Sequence, residues 1–136
     1  MHMTLEADYA VRIVDFLARR KERTGAATVA KMTGVTPRFT LKILHKLTAS
    51  KIVVSYKGAK GGYELARPAD EITLREVIET FEGPYILSRC LDPNHTCNCK
   101  TDYSCGNGTC RFQRAYDEIS EIVRKKLNDI TFDLNT

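Results

Sequence analysis

Cysteine is absent from the first 89 residues of this 136-residue chain, and all five cysteines fall between positions 90 and 110. No run of 18 or more apolar residues occurs, which argues against a transmembrane helix. The amino terminus carries Glu6 and Asp8 where a secretory signal peptide needs an apolar core. We therefore expect a cytoplasmic protein that does not associate with membranes and whose thiols stay reduced.

Acidic side chains are missing between positions 23 and 60, although this segment contains eight lysines and arginines. From Cys90 onwards the charges are balanced, with six basic and seven acidic residues. A basic block without acids in one part of a folded domain is typical of a surface that binds phosphate groups. An ordinary solvated face is the alternative interpretation.

The spacing of apolar residues predicts a helix from Thr4 to about Arg20, with an apolar stripe that includes Leu5. A short helix over residues 28–33 follows, and a third helix begins at Pro37 with Thr36 as its N-cap. Two helices joined by a tight turn are typical of a helix-turn-helix, whose second helix enters the DNA major groove. On the third helix, Ile43, Leu44 and Leu47 are predicted to face inwards, and Arg38, Thr40, Lys42, His45 and Lys46 to face outwards.

Two short β-prone runs, residues 52–56 and 63–65, flank the basic glycine-rich segment Lys57–Gly62. This arrangement predicts a hairpin, which after a helix-turn-helix is the wing of a winged-helix domain. Glycines let the turn close tightly and let its backbone approach a phosphate. The predicted DNA contacts are Thr36, Arg38, Thr40, Lys42, Lys46, Lys57 and Lys60.

A capping box, Thr73 to Glu76, opens a further helix that runs to about Phe81, and a last helix begins near Arg111. The apolar residues of the last helix recur at spacings of three and four: Phe112, Tyr116, Ile119, Val123, Leu127 and Ile130. This stripe either packs on its own domain or pairs with a second copy of the chain, and we favour a homodimer.

The predicted fold is mainly α-helical with a small β-hairpin. Residues 1–83 form a winged helix-turn-helix domain, residues 84–110 a cysteine-rich cofactor loop, and residues 111–136 a dimerisation helix and tail.

An odd number of cysteines leaves one thiol over in any complete disulfide scheme, which favours a metal site or a redox switch. Structural zinc sites contain two Cys-x(2–4)-Cys pairs, whereas this loop has only Cys105-x(4)-Cys110. The closely spaced cysteine run of bacterial ferredoxins is absent as well. The spacing therefore leans towards an iron–sulphur cluster (4Fe–4S or 2Fe–2S) and leaves zinc as the alternative.

Along almost its full length, the chain resembles the winged-helix iron–sulphur transcription regulators typified by IscR, NsrR, RirA and RsrR. The matching segments are Tyr9-Ala10, the wing Lys57–Tyr63, Ile72–Ile78 and the ending Ile130-Thr131-Phe132. In that family the terminal helix dimerises and three cysteines of the loop ligate the cluster.

The resemblance implies that Cys90 and Cys110 are the first and last cluster ligands. The middle ligand is Cys105 by its closeness to Cys110, with Cys99 and then Cys97 as alternates. The family's histidine three residues after the last cysteine is replaced here by Gln113, a poor iron ligand.

The resemblance also implies a ligand from the partner subunit. Asp8 matches the aspartate that reaches the partner's cluster in the NsrR pattern, and Arg12 lies near that cluster. The alternatives are that Asp8 is an ordinary helix acid paired with Arg12, or that a fourth cysteine completes the site. His95 lies within the loop but has no family counterpart, and His45 is interpreted as a neighbour of DNA phosphate.

We therefore predict a homodimeric regulator, a repressor, that binds a pseudo-palindromic double-stranded operator and is not an enzyme. Its cluster would sense iron or cluster status, redox state or nitric oxide, and no small-molecule substrate is expected. The alternatives are a zinc- or thiol-switch regulator on the same fold and, as a different class, an iron–sulphur electron-transfer protein. The last leaves the basic helix-turn-helix and wing unexplained.

Overall fold

The computed structural model describes residues 2–95 and 110–133, so the predicted ligands Cys97, Cys99 and Cys105 lie outside the described residues. Its helices are α1 (Leu5–Arg20), α2 (Ala26–Thr33), α3 (Pro37–Ala49), α4 (Leu74–Glu82) and α5 (Arg111–Asp129). An antiparallel hairpin of β1 (Val53–Tyr56) and β2 (Gly62–Leu65) follows α3. The predicted fold class, mainly α with one small hairpin, is confirmed.

The chain divides into two compact units. One contains residues 2–83 together with the segment from residue 127 onwards, and the other lies between residues 84 and 126. The prediction ends the first domain at residue 83, whereas the first compact unit also includes the end of the chain. Backbone pairing explains the difference, because the N–H of Leu74 donates to the carbonyl of Ile130 at 2.8 Å and the N–H of Phe132 donates to that of Ala69 at 3.2 Å.

Threonine side chains cap the N-termini of three helices, as their local chemistry predicts. The hydroxyl of Thr36 accepts from the N–H of Phe39 at 3.4 Å, and that of Thr73 accepts from the N–H of Glu76 at 3.1 Å. Thr4 caps α1 in the same way. The predicted capping box at α4 is only half formed, because the Glu76 carboxylate pairs with Arg67.

A single hydrophobic core holds the first unit together. Its fully buried large side chains include Ile13, Val14, Val29, Ile43, Leu44, Leu47, Ile52, Val53, Ile72 and Val77. The predicted inward face of α3 is therefore confirmed. Leu5, which the spacing assigns to the apolar stripe of α1, is not part of the core: it lies in the first turn and is 56% exposed.

The segment before α2 pairs with the hairpin at one position. Thr24 and Tyr63 exchange two backbone hydrogen bonds, of 3.0 and 2.9 Å, and form an isolated antiparallel bridge. Gly62 makes this approach possible, because its φ is +135° and an added Cβ would lie 2.8 Å from the carbonyl carbon of Thr24. The position of the hairpin against the helices thus depends on a residue without a side chain.

Within the residues that the structure describes, no helix is both long and apolar enough to cross a membrane.

Replacing Gly62 with serine should destabilise the first unit, since a side chain there combines a strained φ with a backbone clash. The expected loss in the free energy of unfolding is about 1–3 kcal/mol, measured by thermal or denaturant unfolding followed by circular dichroism. Gly25→Ser is the matched control, because Gly25 is the N-cap of α2 and a Cβ there meets nothing within 4 Å. Equal stability of the two variants would contradict the close approach at Thr24.

Candidate functional site

The outward face of α3 is set by the burial of its opposite face. Ile43, Leu44 and Leu47 are completely buried. Thr40 lies three residues before Ile43 and shares its helical face, so it is buried as well, with its hydroxyl donating to the Val35 carbonyl at 3.5 Å. The prediction that Thr40 faces outwards to contact DNA is therefore wrong.

The exposed face of α3 carries several cations. Its exposed residues are Pro37, Arg38, Leu41, Lys42, His45, Lys46 and Ala49. Lys42 pairs with Glu6 of α1, and the Lys46 ammonium lies 4.9 Å from the centre of the Phe81 ring. The hydrogen bond from Lys42 lowers the pKa of the Glu6 carboxyl below its ordinary value, so this carboxyl is ionised at neutral pH.

The wing extends this basic surface. Lys57 and Lys60 are both exposed in the turn between β1 and β2, and no carboxylate of the described residues pairs with either. On the strands of the hairpin, the Arg23 guanidinium lies 3.4 Å from the centre of the Tyr56 ring and 3.7 Å from the Glu64 carboxylate. The free cations are thus at the tip, whereas Arg23 has a structural role.

An open cleft of about 880 Å³ lies between the second half of α3 and the wing. His45 and Ala49 line it on the helix side and Lys57 on the wing side. Gly25 and Ala26, at the start of α2, line it as well, and sequence reasoning did not assign them to this surface. The sequence gives little indication of this position, because Gly25 is an N-cap without a side chain. The cleft is concave, and Lys57 at its edge could bind a phosphate of the DNA backbone.

In the second unit, three side chains of α5 hold the segment that contains Cys90. Arg124 donates to the Tyr85 carbonyl at 2.6 Å, the Ser120 hydroxyl accepts from the Leu87 N–H at 2.9 Å, and Gln113 donates to the Cys90 carbonyl at 3.0 Å. The three positions are seven and four residues apart and therefore share one face of the helix. The segment from residue 85 to residue 90 runs antiparallel to α5 along this face.

This arrangement brings Cys90 to the first turn of α5, which begins directly after Cys110. Cys110 is buried, with 8% exposure, and Cys90 is partly buried; both are free thiols. The Oε1 atom of Gln113 is buried and has no donor among the described residues. The two thiols are the type of ligand that thiolate-preferring metals or clusters take.

Two thiols alone do not complete a metal site. The described residues contain no group of three or more His, Cys, Asp or Glu side chains placed to hold a metal ion. The predicted middle ligand, Cys105 or its alternates, lies outside these residues. His95 is half-buried, and its backbone N–H donates to the Asp92 carbonyl at 3.0 Å.

Asp8 and Arg12 form an ion pair at 2.7 Å, with side chains 43% and 49% exposed. Asp15 and Arg19 repeat this arrangement two turns later, at 3.0 Å. In the isolated chain Asp8 therefore has the geometry of an ordinary helix-surface pair. An open cleft of about 450 Å³ lies beside it, bordered by Thr131 and its neighbours.

Removing the Ser120 hydroxyl should loosen the Cys90 segment. Ser120→Ala leaves the Leu87 N–H without its acceptor, and we expect alkylation of Cys90 in metal-free protein to become about 5- to 10-fold faster through local opening. The measurement is a timed iodoacetamide pulse read peptide by peptide by mass spectrometry. Ser50→Ala is the control, because that hydroxyl is exposed and donates only to the Lys46 carbonyl of its own helix. An unchanged Cys90 rate in Ser120→Ala would show that α5 does not hold this segment.

Sequence comparisons connect the chain to known regulators. The model of the Rrf2 family, described as iron-dependent transcriptional regulators, matches residues 3–134. Protein Rv1287 of Mycobacterium tuberculosis, described as an HTH-type transcriptional regulator, is 40% identical over 86 residues, 62% of this chain and 53% of that protein. The regulator NsrR of Oceanobacillus iheyensis is 31% identical over 94 residues, 68% of this chain and 64% of its own length. The chain thus spans about half to two thirds of the length of these relatives.

Solved structures confirm the winged-helix fold. IscR of T. potens superimposes with a TM-score of 0.71 at 19% identity, covering 97% of this chain and 83% of that one. CymR of B. subtilis, named as a global cysteine regulator, gives 0.75 at 20% identity and covers 97% and 93%. The relatives named here are regulators and not enzymes, in agreement with the prediction from sequence. The resemblance to winged-helix regulators is confirmed, and the chain belongs to the Rrf2 family.

Proposed function

We propose that this protein is a homodimeric, DNA-binding repressor of transcription whose DNA affinity is set by an iron–sulphur cluster. The observation that carries the DNA-binding part is the set of exposed cations on the outward face of α3 and at the tip of the wing. Such a protein acts where the chromosome is, in the cytoplasm.

The helix and the wing have different roles in this proposal. Arg38, in the first turn of α3, is exposed and reaches base edges in the major groove. Lys57 and Lys60 bind phosphates. Thr36, Lys42 and Lys46 bind the sugar–phosphate backbone of the DNA next to α3. Lys42 also forms an ion pair with Glu6. Thr40 is excluded because it is buried.

The paired variant Lys57→Ala/Lys60→Ala should weaken binding to every DNA sequence alike. The slope of log affinity against log salt concentration should fall by about one for each lysine removed, because each releases about one counterion. Fluorescence anisotropy with labelled duplexes over a salt series measures both quantities. Lys125→Ala/Lys126→Ala, which removes two exposed lysines of α5, is the control for net charge. If the paired variant kept both the affinity and the slope of the wild type, the wing would not contact DNA.

The exposed apolar surface of α5 supports the dimer. Phe112, Ile119 and Ile122 are 46%, 44% and 68% exposed, although a helix of a monomer normally buries its large apolar residues. A second copy of the same helix is the occupant that we propose. Two-fold symmetry would then present two α3 helices to two half-sites of one operator.

Cys90 and Cys110 are the thiols that we propose as cluster ligands. The support is that α5 holds Cys90 next to the helix turn that follows Cys110, and that the family is described as iron-dependent. Cys105 is the proposed third ligand, with Cys99 and Cys97 as alternates, and Asp8 of the partner is the proposed fourth. When bound, the cluster supplies sensitivity to oxygen, nitric oxide or iron supply.

The chain's own residues convert that sensitivity into a change of DNA affinity. Thiolates at Cys90 and Cys110 tie the segment at residue 90 to the start of α5. A carboxylate reaching across from Asp8 ties the first helix of one subunit to the thiols of the other. Both ties restrict the dimer to the arrangement that binds DNA, and their loss shifts the population away from it.

Anaerobic purification followed by absorbance and by iron and sulphide analysis tests the cofactor. We expect a coloured protein with stoichiometric sulphide, and loss of the chromophore in Cys90→Ala and in Cys110→Ala. Asp8→Ala should leave a cluster that assembles but decays faster, since the inter-subunit ligand is removed. Asp15→Ala is the matched control, because Asp15 forms the same kind of pair with Arg19.

Other outcomes favour other functions. A colourless protein with stoichiometric zinc would favour a zinc regulator, and a metal-free protein with a reversible disulfide would favour a thiol switch. Equal cluster lifetimes in Asp8→Ala and Asp15→Ala would remove Asp8 from the ligand set. An all-thiolate site through Cys97 or Cys99 would then take its place.

A further inference from the structure

On the outward face of α3, Leu41 is an apolar side chain at a position where a polar one would suit folding better. Thr40 is polar and completely buried, whereas the next residue, Leu41, is apolar and 43% exposed. Folding alone would favour the reverse order, since exposing a leucine forfeits its hydrophobic stabilisation and burying a threonine requires a hydrogen-bond partner. A polar residue at position 41 would suit the fold at least as well.

The neighbours of Leu41 show where this leucine is presented. Arg38 lies three residues before it and His45 four residues after it, and both are exposed. Residues at these spacings share one face of a helix, so Leu41 lies in the middle of the stripe that Arg38 begins. Isolated surface leucines are common, but this one is at the centre of the face that would enter the major groove.

We propose that Leu41 determines sequence specificity by contacting the C5-methyl group of a thymine in the operator. A leucine side chain has no hydrogen-bond donor or acceptor, and the thymine methyl is the apolar group that base edges present in the major groove. The contact excludes water from both groups, and a cytosine, adenine or guanine at that position offers no equivalent partner. This inference rests on the proposed DNA-binding function and deepens it.

Helix geometry also limits where that thymine lies. Three residues of α-helix rise about 4.5 Å, and successive base pairs are about 3.4 Å apart. The thymine contacted by Leu41 is therefore within one or two base pairs of the base contacted by Arg38. Each half-site of a symmetric operator would contain this thymine once.

The test uses the full-length protein and random-sequence DNA duplexes, from which the preferred sequence is selected by repeated binding. Each thymine of the selected duplex is then replaced with deoxyuridine, which removes only the methyl group. At one thymine in each half-site, replacement should lower the affinity of the wild-type protein for the duplex about fourfold. This is the value expected for burying one methyl group.

Leu41→Ala should bind the thymine and deoxyuridine duplexes equally well and more weakly than the wild type binds the thymine duplex. The matched control is Met32→Ala, which removes an apolar side chain that is 59% exposed on α2. This control should keep the full preference of the wild type for thymine. Circular dichroism checks that both variants are folded.

The outcomes separate this inference from the proposed function. Failure of the wild type to bind any duplex would contradict DNA binding itself, and this inference with it. Binding without sequence preference, or with no thymine sensitive to deoxyuridine, would overturn the role of Leu41 and leave DNA binding intact. A thymine preference that persists unchanged in Leu41→Ala would assign the contact to another residue and overturn the inference as well.

Discussion

The burial of one face of α3 is the constraint on which the remaining surface depends. Ile43, Leu44 and Leu47 reach the core at helical spacing, and this fixes the rotation of α3 about its own axis. Once the rotation is fixed, Thr40 must be inside and Leu41 outside, whatever their polarity. The wing is fixed in turn by the backbone pairing of Thr24 with Tyr63, so Lys57 of the wing and His45 of α3 border one cleft.

The second unit applies a similar principle with polar groups. Gln113, Ser120 and Arg124 form a polar line on α5, and each satisfies a backbone group of the segment that ends at Cys90. Backbone groups satisfied in this way hold a segment that has little regular structure of its own. The same helix leaves Ile119 and Ile122 exposed, which is the surface that a second subunit would need.

Local chemistry was sufficient to predict most elements. Thr36 and Thr73 cap their helices as expected, and the glycine-rich segment after Tyr56 forms the turn of a hairpin. The predictions failed where a distant part of the chain intervenes. Leu5 fits the apolar spacing of α1, but its side of the first turn is exposed. The Glu76 carboxylate pairs with Arg67 and does not complete the capping box.

The sequence by itself therefore determined the order of the helices and the hairpin, the basic character of residues 23–60 and the family. Caps, turns and periodicity depend on residues within a few positions of one another, so they are visible in the sequence. Only the tertiary structure decided that Thr40 is buried, that Thr24 pairs with Tyr63 and that Gln113 holds Cys90. Burial and long-range hydrogen bonds depend on which distant segments pack together, and packing follows the sum of all contacts rather than any local pattern.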